Sequence, residues 1–192
     1  MTHRGIALLA ALAFASGCSD STTEPIVGFD GALSFTYTGG GGGTHNASGD
    51  FTSQGQLGTS SWAVGTRQEA DGLLGVVSVQ PRSSTTHDFT ILAVTRLTPG
   101  SSGVGAGCDP DVDVDCTGIV FYRGVSNSGF TYDFFCVLTT GSVAISSIST
   151  TRAQGTFSGT GFCYDFDGEE QPFTATNGTF NVALISDTQF PG

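Results

Sequence analysis

The sequence predicts an all-β fold, an antiparallel β-sandwich or an incompletely closed β-barrel of about nine or ten strands. Three observations predict it. Large apolar residues fall on every second position in several segments, turn residues recur at close intervals, and no segment keeps apolar residues at three-and-four spacing beyond about two turns. The first is the signature of a pleated strand with one packed face, and the last removes amphipathic helices from consideration.

The alternation is clearest in three places. Leu33, Phe35 and Tyr37 are separated by Ser34 and Thr36, so one face packs while the hydroxyls meet water. Phe130, Tyr132, Phe134, Cys136 and Leu138 form a second row, and Phe180, Val182 and Leu184 a third. These read as half-buried antiparallel strands. Further strands are expected at 61–65, 73–79, 89–95, 119–122, 143–149 and 155–162. A faint internal echo links the first and last hairpins: the stretch from Gly31 with its return at 47–51 resembles the stretch from Gly155 with its return at 175–180. Shared turn chemistry alone also produces such likeness. Between the strands of the first hairpin lie five glycines, Gly39 to Gly43, expected to form a mobile tip, since a phosphate cradle would need a helix start and a Lys after them.

The N-terminus has a different character. Arg4 precedes a short apolar run at 5–14, and small residues follow before Cys18, the three-part layout of a secretory signal peptide over 1–17. The run is too short to cross a bilayer, which takes roughly 20 residues. Ala15-Ser16-Gly17-Cys18 resembles the lipobox of bacterial lipoproteins. That resemblance implies that Cys18 is diacylated through sulfur with palmitate-type chains, becomes the mature N-terminus and anchors the chain to a membrane. With Ser19 after the cysteine, it further implies sorting to the outer membrane. Residues 18–26 are then lipidated cysteine plus polar tether, and 27–192 a single β-domain of 166 residues. Ala13-Phe14-Ala15 offers the alternative of ordinary cleavage and a soluble secreted or periplasmic protein.

Cysteine parity bears on that choice. Of five cysteines, lipidation of Cys18 leaves an even set, Cys108, Cys116, Cys136 and Cys163, suited to disulfides in an oxidising compartment. Cys136 and Cys163 both share the parity of apolar rows, which favours pairing 136 with 163 and 108 with 116. Zinc is disfavoured because no C-x-x-C pair exists.

Charge excludes several functions. The mature chain carries 17 acidic residues against five arginines, a net of −12, and no Lys at all. Such a surface repels phosphate backbones, so nucleic acid is not an expected partner. Lys-dependent phosphate loops and Schiff-base chemistry are excluded outright.

Candidate chemistry is sparse. Asp109, Asp111, Asp113 and Asp115 lie at every second position between Cys108 and Cys116. Like charges that close repel, and a calcium ion would relieve them; the alternative is a solvated acidic loop closed by a disulfide. EF-hand spacing is absent. Asp165, Asp167, Glu169 and Glu170 form a second acidic turn around a hairpin-type Asp167-Gly168. His45 and His87 are the mature histidines, and both are expected as exposed loop-end residues, since no catalytic motif surrounds them. Fifteen Phe against one Trp and four Tyr suggest core rather than a sugar-binding platform. The expected function is therefore a lipid-anchored, non-catalytic interaction or structural module. A small-ligand or carbohydrate-binding lipoprotein is the alternative, and a hydrolase with a carboxylate pair follows it.

Overall fold

A computed structural model describes residues 29–51, 60–105, 116–127 and 131–185. The leader, Cys18 and the tether lie outside them. The fold is all-β: β1 (Phe29–Thr38), β2 (Gly43–Phe51), β3 (Trp62–Gln68), β4 (Leu73–Pro81), β5 (Thr86–Val94), β6 (Gly100–Gly105), β7 (Cys116–Ser126), β8 (Phe134–Ile148), β9 (Arg152–Asp165) and β10 (Glu170–Ile185).

The strands form one sheet that returns on itself. β3, β4, β5 and β7 follow one another as antiparallel neighbours, β7 meets β8, and β8, β9 and β10 continue. β10 then closes the ring through a short parallel contact, Leu184 and Ile185 against Gly65 and Thr66 of β3. Two wedges make the ring irregular. β6 enters where β7 and β8 diverge, pairing with both, and the β1–β2 hairpin enters between β10 and β3, with β1 on β10. The second edge of β2 meets β3 and β4 through side chains: Asn46 N–H donates to Gln80 Oε1 at 2.7 Å and Ser48 N–H to Ser61 Oγ at 3.0 Å. The ring is not a regular barrel, and it fits the expected β-sandwich or incompletely closed barrel.

Bulges explain how the apolar pattern meets that ring. In β8 the buried positions are Cys136 and Leu138, then Val143 and Ile145, a change of parity. An extra residue between Leu138 and Thr140, relative to β9, absorbs it. The segment expected at 143–149 and the 134–138 part of the one expected at 130–138 are thus one strand, whereas 131–133 precede it outside any strand and Phe130 lies outside the described residues. In β10 the buried set changes from Phe173 and Ala175 to Phe180, Val182 and Leu184, and the register shifts between Ala175 and Gly178, where Asn177 takes φ 54°. Asn tolerates that left-handed conformation better than most residues.

Within the last hairpin, glycines and phenylalanines face one another. Gly155-Thr156-Phe157 of β9 and Gly178-Thr179-Phe180 of β10 are cross-strand partners, with Gly155 opposite Phe180 and Phe157 opposite Gly178. Each ring lies over the facing glycine; a Cβ on Gly178 would come within 2.6 Å of the Phe157 ring. The glycines make room for the aromatic core.

Candidate functional site

The interior is filled by rings. Phe121 is 1 % exposed and stands among Tyr37 at 4.9 Å, Phe35 at 5.3 Å, His45 at 5.6 Å and Phe173 at 6.2 Å between centroids. Phe157 adds a further contact to Phe35 at 5.5 Å. Leu33, Leu92, Leu138, Val143 and Val182 complete the core. Side chains therefore occupy the space in which a carrier would hold its ligand.

Both histidines are buried, which corrects the expectation of exposed loop ends: His45 and His87 lie inside β2 and β5 with 0 % exposure. Strand alternation places them, since His45 is the partner of Phe35 across the first hairpin. His45 Nε2 lies 2.9 Å from Ser78 Oγ, across the seam between β2 and β4, while Nδ1 is buried without a partner. Burial pushes its pKa down from 6.5 to about 3, because the imidazolium would lose its hydration. The linkage has a definite sign. Between about pH 6.5 and 3 the unfolded chain takes up a proton that the folded chain refuses, so stability falls as the pH drops through that window. The loss attributable to His45 is on the order of 4 kcal/mol by pH 3. Urea unfolding at pH 7 and pH 4 checks this: a His45→Phe variant should lose less stability than the parent over the interval, and equal losses would refute the assignment.

One end of the ring carries a polar cleft of about 360 Å³, lined among others by Tyr37, Gln80, Arg82, Asp88 and Arg123. Asp88 is the buried carboxylate among the described residues, 3 % exposed. It sits where β5 and β7 shift register, and its Oδ1 accepts the Gly124 N–H at 2.9 Å, so the side chain satisfies a donor that the bulge removes from the ladder. Oδ2 accepts from Arg82 Nη1 at 3.3 Å. Burial raises the Asp88 pKa, against the lowering effects of Gly124 N–H and Arg82. Burial likewise raises the Tyr37 phenol. Arg123 donates to Gly40 O and lies 5.9 Å from the centroid of Phe134.

The glycine run, expected as a mobile tip, packs against this end. Gly40 N–H donates to Gln171 Oε1 at 3.0 Å, and a Cβ on Gly40 would lie 3.1 and 3.3 Å from the sulfurs of Cys163 and Cys136. Gly39, at φ 83°, lies against the carbonyl of Pro172. The cleft is thus an end cap whose charges answer one another. The partners of Asp88 are a guanidinium and an amide, which is the arrangement of a structural ion pair rather than a carboxylate dyad.

The outer surface has two characters. Over β1, β2, the second half of β8, and much of β9 and β10, it presents Ser and Thr, including Thr36, Thr44, Ser142, Thr156, Ser158 and Thr176. Over β4, β5 and β7 and the facing halves of β8 and β9, the outward residues are apolar. Cross-strand register lines them up: Val77, Ile91, Val120, Val137 and Phe162 form one row, and Phe89, Tyr122, Phe135 and Tyr164 the next, with the fully buried Val79 at its head. The second row ends in Glu170, opposite Tyr164. Tyr122, Tyr132 and Phe135 are in ring contact at 5.0 to 6.4 Å, and Phe135 stacks on Tyr164 at 6.4 Å. Phe162 is 37 % and Phe166 74 % exposed. Tyr164 Oη donates to Glu170 Oε2 at 2.9 Å, and this bond raises the phenol pKa. Sequence reasoning missed this face because the alternate positions of single strands look ordinary; register brings Tyr122 and Tyr164 into one row, and Tyr132, just before β8, packs on Tyr122.

Of the residues singled out in the sequence, Cys136 and Cys163 are brought together as a disulfide, directly paired across β8 and β9 with Cα atoms 3.9 Å apart. Cys18, Cys108, Asp109, Asp111, Asp113 and Asp115 lie outside the described residues, as does the side chain of Cys116. Among the described residues, no group of three or more His, Cys, Asp or Glu is placed to hold a metal ion. Ser83, near His87 in sequence, instead closes the β4–β5 turn through Thr86 at 2.8 Å. Compared with protein-family models, curated proteins and solved structures, the chain matches none.

Proposed function

We propose that this chain is an exported, lipid-anchored β-domain that acts as a non-catalytic interaction or structural module, held at the outer membrane through Cys18. The observation that carries the reading is the filled interior around Phe121, which leaves the outer surface as the place for recognition. The leader layout, the Ala15-Ser16-Gly17-Cys18 segment and the polar tether support export and anchoring. Pairing of Cys136 with Cys163 supports an oxidising compartment and leaves Cys108 and Cys116 as the remaining pair once Cys18 carries lipid.

Fractionation tests the anchor. Cys18→Ala is expected to abolish fatty-acid labelling and to release the protein from membranes; labelling and fractionation unchanged from the parent would overturn the reading. A second reading, carbohydrate binding, is favoured by one observation: Tyr122, Tyr132 and Tyr164, amphipathic rings suited to stacking, share one outer patch.

A further inference from the structure

We infer that the outer aromatic face of β7, β8 and β9 docks a cationic polypeptide segment, one rich in Arg or Lys; this rests on the interaction-module reading and names the partner for it. The face offers what such a segment needs. Phe162 and Phe166 are the large apolar side chains that stand most open to solvent among the described residues, and Tyr164 continues the surface inward to Phe135. Aromatic faces attract guanidinium and ammonium groups, and they pack the aliphatic stems of the same side chains.

The rim supplies charge of the matching sign. Glu170 reaches Tyr164 directly, and Asp165, Asp167 and Glu169 belong to the turn that carries Phe166. Asp165 Oδ1 is occupied in holding that turn, accepting the N–H groups of Asp167 and Glu169 at 3.1 and 2.9 Å. The carboxylates of Asp167, Glu169 and Glu170 are left at the exposed edge.

Among the described residues, the arginine contacts lie away from this rim. Arg67 pairs with Glu69, Arg82 with Asp88 and Arg152 with Asp30, while Arg123 reaches Gly40 O and Arg96 Nε donates to Ser102 Oγ. A mature chain of net −12 with this rim repels anionic headgroups and attracts a basic partner.

The test uses the mature full-length protein in zwitterionic micelles and a fluorescent peptide of alternating Arg and Gly, read by anisotropy. Binding is expected, and it should weaken about tenfold or more between about 50 and 300 mM salt. Phe162→Ser with Phe166→Ser, and separately Glu169→Gln with Glu170→Gln, should each weaken it about tenfold. Asp50→Asn with Asp71→Asn removes equal charge from other exposed sites and should change it less than about twofold. All substituted positions are exposed, and melting curves matching the parent verify folding. Equal losses in the face variants and the control would reduce the effect to net charge and overturn the inference. So would binding of neutral oligosaccharides or phospholipid vesicles to this face in place of the peptide. Absence of peptide binding from a protein that still fractionates with membranes through Cys18 would overturn it too, while leaving the anchor intact.

Discussion

Phe121→Ala is expected to cost about 3–5 kcal/mol, the range for deleting a fully buried aromatic ring. The ring contacts Phe35, Tyr37, His45 and Phe173, which come from β1, β2 and β10, whereas Phe121 itself comes from β7. It therefore joins opposite walls of the ring, and neighbours held in separate ladders cannot collapse far into the void. Urea unfolding of the two proteins measures the difference. Phe121→Leu keeps much of the volume and should cost clearly less than Phe121→Ala. A loss below about 1 kcal/mol for the alanine variant would mean that the centre is not packed as the ring contacts imply.

Removal of the disulfide should have a comparable effect. Cys136 and Cys163 are both fully buried and close a loop with a sequence separation of 27. Chain entropy for a loop of that length is about 3–4 kcal/mol. Cys136→Ala with Cys163→Ala should lower the unfolding free energy by about that amount, and the reduced parent should approach the same value. The sulfurs also support Gly40 in the end cap, so amide exchange in the 39–43 turn should accelerate in the variant. A variant as stable as the parent, with unchanged exchange in that turn, would show that the bond does not restrain the fold.

These two positions illustrate how legible the molecule is from its residues. The parity of Cys136 with Leu138, and of Cys163 with Phe157, is a local property, and it sufficed to expect two core-facing thiols that could bond. The short strand β6, Gly-Ser-Ser-Gly-Val-Gly, has no apolar row to mark it; it exists because β7 and β8 diverge and leave unpaired edges that a strand can fill. The burial of His45 and His87 is not legible locally for a related reason. A polar residue on a buried face looks like an interruption until its partner, here Ser78 for His45, is brought in from another strand.

Side-chain alternation needs only neighbouring residues, because successive Cβ atoms point to opposite faces of any strand. For that reason the all-β class, the Phe-rich core and the pairing of Cys136 with Cys163 could be reasoned from residue order. Ring closure through β10 and β3, the bulges that let one strand change face, the end cap around Asp88 and the aromatic surface around Tyr164 all depend on which strands meet and in what register. Those are pairings between residues far apart in the chain, fixed by the combined packing of many side chains at once, and no local pattern encodes them.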